Sequence, residues 1–442
     1  MTLRLLAVGD IHLGRSPGSV PAGVAPTSAD LDALGPRAAW ARTVEAALEQ
    51  RVQAVLLLGD VVDDEEHFIE GWTALKEGVQ RLLDAGIEVA AVAGNHDVRV
   101  LPRLARALDG LRLLGAGGRW EAVELSNGTA RLVGWSYPTA HAGKDPTFDD
   151  TFEDLCRIDC AGPTIGLLHG DLDAAQSHYA WFTSARLATC GADAWLLGHV
   201  HKPSFSRGEA GRIPVGYLGS LTGLDPTETG LHGPWLLAFE GRNLVEARHI
   251  PLAPLRWERI SIAVDAWSGP EDLEPGVTSA LVAFEERERA SFGSARAVGL
   301  RIDLVGRSRF HRELRAAIEA FDLERLHVPL QGRTFFVDQL VDTVRPEIDL
   351  AALAGESDPP GLLARRLLCL DAPASDEDAF AERARLLRLA RTSRENLVRR
   401  KEFVALGSAE PKDDDLVDEL RAAGLAALEE LLESRPGSEA RS

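Results

Sequence analysis

Short apolar runs alternate with helical patterns along the first 250 residues of the chain. The runs at 3–8, Ala54–Leu58 and 87–93 are too short for helices and almost continuously apolar, which is typical of buried central strands. Between them, 38–50 and 68–85 carry apolar side chains at helical spacing. Further strand candidates lie at Ala130–Trp135, 164–168, 194–197, 213–217 and 234–239. The pattern predicts an α/β fold that becomes more antiparallel towards residue 250.

Two segments of this region predict connections rather than regular elements. Asn127-Gly128 is a favourable two-residue hairpin turn between the strand candidates Trp120–Leu125 and Ala130–Trp135. The stretch 16–34 is rich in Pro, Gly, Ala and Ser, so we expect a surface insertion there.

The pattern changes near residue 255 and again after Pro346. Between these points it predicts a small α+β unit, with strands at 257–264, 298–305 and 333–344 and a helix at 310–321. Beyond Pro346 the chain becomes helical and charged, with a break at 358–361 and long helix candidates at 380–405 and 416–432. We therefore predict three domains, 1–252, 253–347 and 348–442, with a disordered tail after Ser434.

Composition limits the class of protein. The 48 Lys and Arg residues against 68 Asp and Glu give a net charge of −20, which argues against a histone-like or polybasic membrane binder. Four cysteines in 442 residues exclude a disulfide scaffold, and we expect Cys156 and Cys160 to be reduced thiols. The apolar run at 3–8 is too short for a signal peptide, and no stretch approaches the roughly 20 apolar residues of a membrane helix. We therefore expect a cytoplasmic protein that has no membrane contact.

Five polar clusters each directly follow a predicted strand. They are Gly9-Asp10-Ile11-His12, Gly59-Asp60-Val61-Val62-Asp63, Gly94-Asn95-His96-Asp97, His169-Gly170 and Gly198-His199-Val200-His201. Side chains at the carboxyl ends of strands converge on one edge of a sheet, where α/β folds bind their ligands. The mixture of carboxylate, imidazole and amide suits Mn²⁺, Fe²⁺ or Zn²⁺ better than Ca²⁺.

Each cluster alone is weak evidence, because D-x-H and H-x-H pairs occur by chance and a lone histidine is usually a structural residue. Together and in this order they resemble the calcineurin-like metallophosphoesterase superfamily, whose pattern is D-x-H, G-D-x-x-D, G-N-H-[DE], H and G-H-x-H. The resemblance covers about the first 240 residues. It implies a four-layer α-β-β-α sandwich, followed here by a small α+β cap domain and a helical C-terminal region.

Two segments sharpen the resemblance. Asp10-Ile11-His12-Leu13-Gly14-Arg15 is similar to the opening motif of SbcD-like DNA repair exonucleases, and Tyr217-Leu218-Gly219-Ser220-Leu221 resembles the Y-x-G-S segment of that branch. A phosphoprotein phosphatase would carry Arg after the second motif, where this chain has Asp64. Some nucleases of the branch carry His at the position of Asp63, and the C-terminal half of the chain matches only in layout.

The resemblance implies a site for two divalent ions, for which we expect Mn²⁺. Carried over by motif, Asp10, His12, Asp60 and His201 hold the first ion, and Asp60, Asn95, His169 and His199 hold the second. Asp60 would bridge the two. Two ions bring four positive charges against two carboxylates, so the site can bind a phosphodiester although the protein is acidic.

Four further residues are assigned roles beside the metals. The resemblance implies that His96 lies near the scissile phosphate as a transition-state donor or general acid, with Asp63 orienting and charging it. Asp63 and Asp97 could equally cap helices or solvate loop ends. Arg15 and Lys202 could contact backbone phosphates or be ordinary exposed loop charges. His67, His141 and His178 fall outside the motifs and are treated as structural or surface residues.

The resemblance favours a DNA exonuclease subunit that works with a coiled-coil ABC-type ATPase in DNA repair, and it leaves a homodimer open. One alternative is a metallophosphodiesterase that acts on a small nucleotide, and another is a non-catalytic scaffold subunit of a repair complex. The apolar stripe of 416–432 must pack on something. It could pack on the helix at 380–405 of the same chain or grip the partner's coiled coil.

Overall fold

The computed structural model describes residues 2–63, 68–125, 128–158, 160–175, 177–208, 212–373, 375–398 and 412–433. The chain divides into two compact units, Met1–Arg345 and Pro346–Ser442. Within the described residues, no helix is both long and apolar enough to cross a membrane.

The first sheet of the larger unit has six strands in the order β13-β12-β1-β2-β3-β4. Strands β1 to β4 run parallel, and β12 and β13 complete the sheet in antiparallel fashion. The strands are β1 (Thr2–Val8), β2 (Ala54–Leu58), β3 (Glu88–Val92), β4 (Leu111–Leu113), β12 (Trp235–Glu240) and β13 (Asn243–His249). The three central strands lie where continuous apolar runs predict them.

The second sheet has five strands in the order β11-β10-β7-β6-β5. Its strands are β5 (Trp120–Leu125), β6 (Ala130–Trp135), β7 (Thr164–His169), β10 (Ala194–Gly198) and β11 (Val215–Tyr217). The antiparallel pairing of β5 with β6 is the one that the predicted hairpin requires, although Asn127 of its turn lies outside the described residues. Two short strands, β8 (Asp171–Leu172) and β9 (Trp181–Phe182), pair in a separate ribbon.

The two sheets pack face to face, and helices cover their outer faces. Successive side chains of a strand therefore point alternately into the core between the sheets and into the core beneath the helices. Leu5 and Leu56 join Leu167 and Leu196 in the core between the sheets. Neighbouring residues of β1 and β2 instead contact α2 (Pro36–Gln50) and α3 (Phe68–Asp84) on the outer face of the first sheet. On the outer face of the second sheet, α5 (Phe152–Arg157) and α6 (Ser184–Thr189) pack beside Trp195. The predicted α-β-β-α fold class is confirmed.

The remainder of this unit is a four-stranded sheet of order β14-β15-β18-β17, covered by α7 and α8. Its elements are β14 (Leu255–Ala263), α7 (Leu273–Glu288), β15 (Ala297–Val305), β16 (Arg307–Ser308), α8 (His311–Glu319), β17 (His327–Leu330) and β18 (Arg333–Asp342), before the two-residue β19 (Arg345–Pro346). Segment 16–34 is not a simple surface loop. It contains α1 (Ser28–Asp32), and its Val20 and Val24 pack against Trp257 and Phe336 of this sheet.

The smaller unit is helical and consists of α9 (Leu350–Ala354), α10 (Pro359–Cys369), α11 (Glu377–Val398) and α12 (Asp413–Glu433). The predicted break at 358–361 is a helix start, because Asp358 caps α10 and the prolines occupy its first turn. Residues 399–405 of the predicted long helix lie outside the described residues.

The apolar stripe of α12 packs within its own unit. Leu416, Val417 and Leu428 are buried in one cluster with Leu367 of α10 and Leu387 of α11. Of the two alternatives for this stripe, packing within the chain is the one that the structure shows, and removing α12 should expose the core of the helical unit.

Candidate metal centre

The five polar clusters meet at the carboxyl ends of the central strands, as α/β topology requires. Asp10 follows β1, Asp60 follows β2, Asn95 follows β3, and His199 follows β10, while His169 ends β7. The backbone turns sharply here, since Asp10 and Asp60 have positive φ values of 40° and 47°. Such strained conformations are tolerated only where the surrounding structure fixes them.

Glycine at position 94 is a geometric requirement. A Cβ atom there would collide with Oδ1 of Asp60 and with the Asp60 backbone. The third strand can therefore approach the Asp60 carboxylate only because the residue before Asn95 has no side chain.

One group of potential ligands consists of Asp10, His12 and His201, whose donor atoms all lie within 4.8 Å of one another. The Nε2 atoms of His12 and His201 are 3.2 Å apart. Two ligand atoms held about 2.1 Å from one ion at angles of about 90–110° lie about 3.0–3.4 Å apart. The spacing of these imidazoles therefore suits neighbouring positions on a single cation.

A second group consists of Asp10, Asp60 and His169. Nε2 of His169 lies 3.2 Å from Oδ2 of Asp60 and 3.1 Å from Oδ1 of Asn95. Asp10 is the carboxylate common to the two groups, whereas the bridging role of Asp60 stays a prediction. All three members of the second group are buried.

His199 lies beside these groups rather than within one of them. Its ring centroid is 5.2 Å from that of His169, and its backbone N–H donates to Oδ1 of Asp10 over 2.9 Å. Its Nε2 lies 3.5 Å from Oδ1 of Asp171, which leaves Nδ1 as its other potential ligand atom. Burial and His169 lower the pKa of His199 to about 4, so the imidazole is neutral near pH 7 and can donate a lone pair.

Three of the histidines have one ring nitrogen fixed by an acceptor outside the site. Nδ1 of His169 donates to the Leu58 carbonyl over 2.9 Å. Nδ1 of His12 donates to Asp63, and Nδ1 of His201 donates to Glu228, each over 2.9 Å. Because carbonyls and carboxylates only accept, each Nε2 is left with its lone pair facing the site. This is the arrangement that orients histidine ligands in metal sites.

Glu228 is a functional residue that the sequence analysis missed. Besides His201, its carboxylate accepts a hydrogen bond from the Ser220 hydroxyl over 3.1 Å and from the Leu224 backbone over 3.3 Å. The sequence feature that could have pointed to Glu228 is Ser220 of the Y-x-G-S segment, because the two side chains are hydrogen bonded in the folded chain. Nothing in the local sequence, however, links that segment to an acidic residue eight positions later.

The structure adds a second partner to the role predicted for Asp63. Oδ1 of Asp63 is 2.9 Å from Nδ1 of His12 but 4.0 Å from Nδ1 of His96. Asp63 therefore orients His12 first. Burial opposes ionisation of Asp63, but the His12 hydrogen bond, together with the charges of His12, Arg15 and His96, lowers the pKa of Asp63 overall. His96 has 45% of its side chain exposed, and its backbone N–H donates to Asp60 over 3.0 Å. Its catalytic role stays a prediction.

Asp97 is fully buried and does not solvate a loop end. Its carboxylate accepts hydrogen bonds from the backbone of Val61 over 2.7 Å and of Gly94 over 2.8 Å. Burial, reinforced by the Asp60 charge, raises the pKa of Asp97 to about 7. Asp97 thus ties the loops that carry Asp60 and Asn95 to each other.

Asp10 and Asp60 are buried carboxylates, so their negative charges are stable only with positive charge nearby. Burial raises the pKa of Asp10. Burial opposes protonation of His169, but Asp60 and Asp10 raise its pKa to about 10. A divalent ion bound there would displace the proton from His169, and oxygen and imidazole donors around two buried carboxylates are a set that fits divalent transition metals.

Arg15 and Lys202 are both exposed near the site. Arg15 lines a groove of about 640 Å³ together with Asp63, Asp32 and Arg37, so two acidic and two basic side chains share it. Lys202 directly follows His201 in the chain.

Part of the chain is similar to known proteins. The model of the family described as calcineurin-like phosphoesterase matches residues 3–203. An uncharacterized metallophosphoesterase of Bacillus subtilis (strain 168), YhaO, is 26% identical over 216 residues, 44% of this chain and 47% of that protein. The DNA double-strand break repair protein Mre11 of Aeropyrum pernix is 28% identical over 265 residues, 57% of this chain and 62% of that protein.

The matched part of the chain thus spans about half to three fifths of the length of these curated relatives. Among solved structures, the purple acid phosphatase PPD1 from yellow lupin seeds aligns with a TM-score of 0.38 and 12% identity, over 55% of this chain and 50% of that one.

Proposed function

Residues 3–203 belong to the calcineurin-like metallophosphoesterase superfamily, and we propose that the chain is a two-metal DNA exonuclease subunit that acts in DNA repair. The observation that carries the proposal is the groove that starts at Asp63, the hydrogen-bond partner of His12, and that Arg15 and Arg37 line together with Asp32. Two guanidinium groups along one groove suit the successive phosphates of a strand. The similarity to Mre11 supports the same substrate.

In this proposal Asp10, His12, Asp60 and His201 hold one ion, and Asp60, Asn95, His169 and His199 hold the other. Two divalent ions bound there would supply positive charge to the phosphodiester and lower the pKa of a water nucleophile. Imidazole nitrogens bind transition-metal ions better than they bind Mg²⁺, so we propose a transition-metal ion, Mn²⁺, rather than Mg²⁺.

The side chains of this protein then position the substrate and handle the proton. His96 stands on the exposed side of the site, where it can reach a bound phosphodiester. With Nδ1 facing Asp63, His96 retains Nε2 to donate a proton to the leaving oxygen. Asp63 and Glu228 hold His12 and His201 in place.

The helical unit is proposed to bind a coiled-coil ABC-type ATPase. Because the stripe of α12 is buried within the unit, the surface offered to a partner must lie elsewhere. Large apolar side chains remain exposed on α10 and α11, namely Leu362, Leu368, Phe380 and Leu389. Exposed apolar side chains of this kind suit packing against a helix of a partner.

The groove gives a direct test of the substrate. Arg37→Ala should raise KM for an end-labelled oligonucleotide severalfold, with little change in kcat, because it removes a contact far from the scissile bond. The same variant should leave hydrolysis of methyl p-nitrophenyl phosphate unaltered. Arg103→Ala, which removes an exposed arginine from α4 (Leu101–Ala107), is the matched control. Equal effects on both substrates would contradict a strand-binding groove, as would failure of the wild-type protein to degrade any linear DNA.

A further inference from the structure

The loop that follows His169 forms a second wall beside the metal centre. The β8–β9 ribbon brings Tyr179 against the metal-site residue His199, with ring centroids 4.7 Å apart and ring planes inclined by 57°. On its other side Tyr179 faces His141, with centroids 6.2 Å apart. The phenol ring thus stands one side chain away from the metal centre, where a group attached to a bound phosphate would arrive.

These rings border a pocket of about 590 Å³ lined by His141, Gly143, Ser177, His178 and Tyr179. The volume falls within the range of small-molecule sites. None of the five residues that the structure places along this pocket carries a permanent charge. The pocket therefore differs from the arginine-bearing groove, and it suits a neutral planar ring better than a second phosphate.

The pocket is held open by hydrogen bonds in its own walls. The Tyr179 backbone N–H donates to the Ser177 hydroxyl over 3.1 Å, and that hydroxyl donates to the Asp171 carboxylate. The Gly143 backbone donates to the His178 carbonyl over 3.1 Å, which joins the two walls. A ligand ring would consequently find the stacking surface already in position, which lowers the entropic cost of binding.

We propose that this Tyr179 pocket binds the nucleobase of the nucleoside esterified to the phosphate at the metal centre, by stacking on Tyr179. The proposal rests on the proposed phosphodiesterase function, and it assigns a nucleoside recognition site to it. Stacking tolerates any base, because every base offers a flat face. The pocket should therefore favour nucleotide substrates over other phosphodiesters without reading sequence.

Two substrates with the same leaving group isolate the base. With Mn²⁺-loaded protein, we would compare thymidine 5′-p-nitrophenyl phosphate with methyl p-nitrophenyl phosphate. Tyr179→Ala should lower the ratio of the two kcat/KM values by about 5- to 100-fold, the range expected for loss of one base–aromatic stack. Tyr179→Phe should preserve the ratio. Phe148→Ala removes an exposed aromatic ring that does not line the pocket, and it should also leave the ratio unchanged.

If Tyr179→Ala loses activity equally on both substrates, the ratio is unchanged and Tyr179 only supports His199. That result would overturn the proposal, as would a variant that loses activity on neither substrate. Calorimetric binding of thymidine 5′-monophosphate against methyl phosphate, to the same Mn²⁺-loaded variants, repeats the comparison without turnover. If DNA is not degraded but the thymidine compounds depend on Tyr179, the exonuclease proposal fails and the pocket stands. If DNA is degraded and neither comparison depends on Tyr179, the pocket fails alone.

Discussion

At the scale of single residues, the candidate metal centre depends on hydrogen bonds from its histidines to groups that do not face the site. His12, His169 and His201 each commit Nδ1 to an oxygen, which fixes the tautomer and the orientation of the ring. The candidate ligands could be proposed from short motifs, since they follow strands, and the structure brings them close together. Glu228 could not, because only the folded chain brings it to His201.

Glu228→Ala should weaken metal binding by about 10- to 100-fold, the usual cost of removing an outer partner of a histidine ligand. The His201 ring would lose the acceptor that holds its Nδ1, so the free imidazole would have to be reoriented on binding. Calorimetric titration with Mn²⁺ measures the effect. Glu274→Ala, at an exposed position of α7, is the matched control and should bind as the wild type does. Wild-type affinity in Glu228→Ala would contradict the role given to this carboxylate.

His96 and Asp60 should separate chemistry from metal binding. His96→Ala should retain its metal and lose turnover by about 10²- to 10⁴-fold, because it removes a proton donor rather than a ligand. Asp60→Ala should lose metal, since a buried carboxylate of the second group disappears. Metal content per chain, measured together with kcat, distinguishes the two. Loss of metal from His96→Ala as severe as from Asp60→Ala would show that His96 is itself a ligand.

At the scale of elements, continuous apolar runs predicted the central strands well, because strands buried on both faces need no polar positions. The hydrophobic pattern did not predict two elements whose structure depends on tertiary packing, helix α7 and segment 16–34. Helix α7 was not predicted, since Pro275 and Gly276 in its first turns obscure a stripe that includes Val277, Leu281 and Phe284. The small residues of 16–34 indicated a loop, yet a few of its apolar side chains are buried under Trp257 and Phe336.

The burial of α12 predicts a large cost for truncating its core side chains. Leu428 is fully buried among helices of the smaller unit, so Leu428→Ala should destabilise that unit by about 2–5 kcal/mol. Leu389→Ala, with 55% of its side chain exposed, should cost about 0.5 kcal/mol or less. Urea unfolding followed by circular dichroism detects the helices. All nine tryptophans lie in the larger unit, so their fluorescence reports on that unit separately. Equal costs for the two variants would contradict the observed packing of α12.

At the scale of the whole molecule, a protein with a net charge of −20 is proposed to act on a polyanion. In the proposal local charge accounts for this, because two divalent ions bound near Asp10 and Asp60 would leave the centre positive, and Arg15 and Arg37 would offer phosphate contacts in a groove that also holds Asp32 and Asp63. Association with DNA should therefore depend on both salt and metal.

The most direct test of the two-metal claim is a titration of metal-stripped protein with Mn²⁺, followed by degradation of end-labelled linear DNA. We expect no activity in excess chelator, and activity that rises with Mn²⁺ and saturates at two ions bound per chain. Mg²⁺ should restore much less, because imidazole binds Mg²⁺ more weakly than it binds a transition-metal ion such as Mn²⁺. Full activity in excess chelator, or saturation at a single bound ion, would contradict the account.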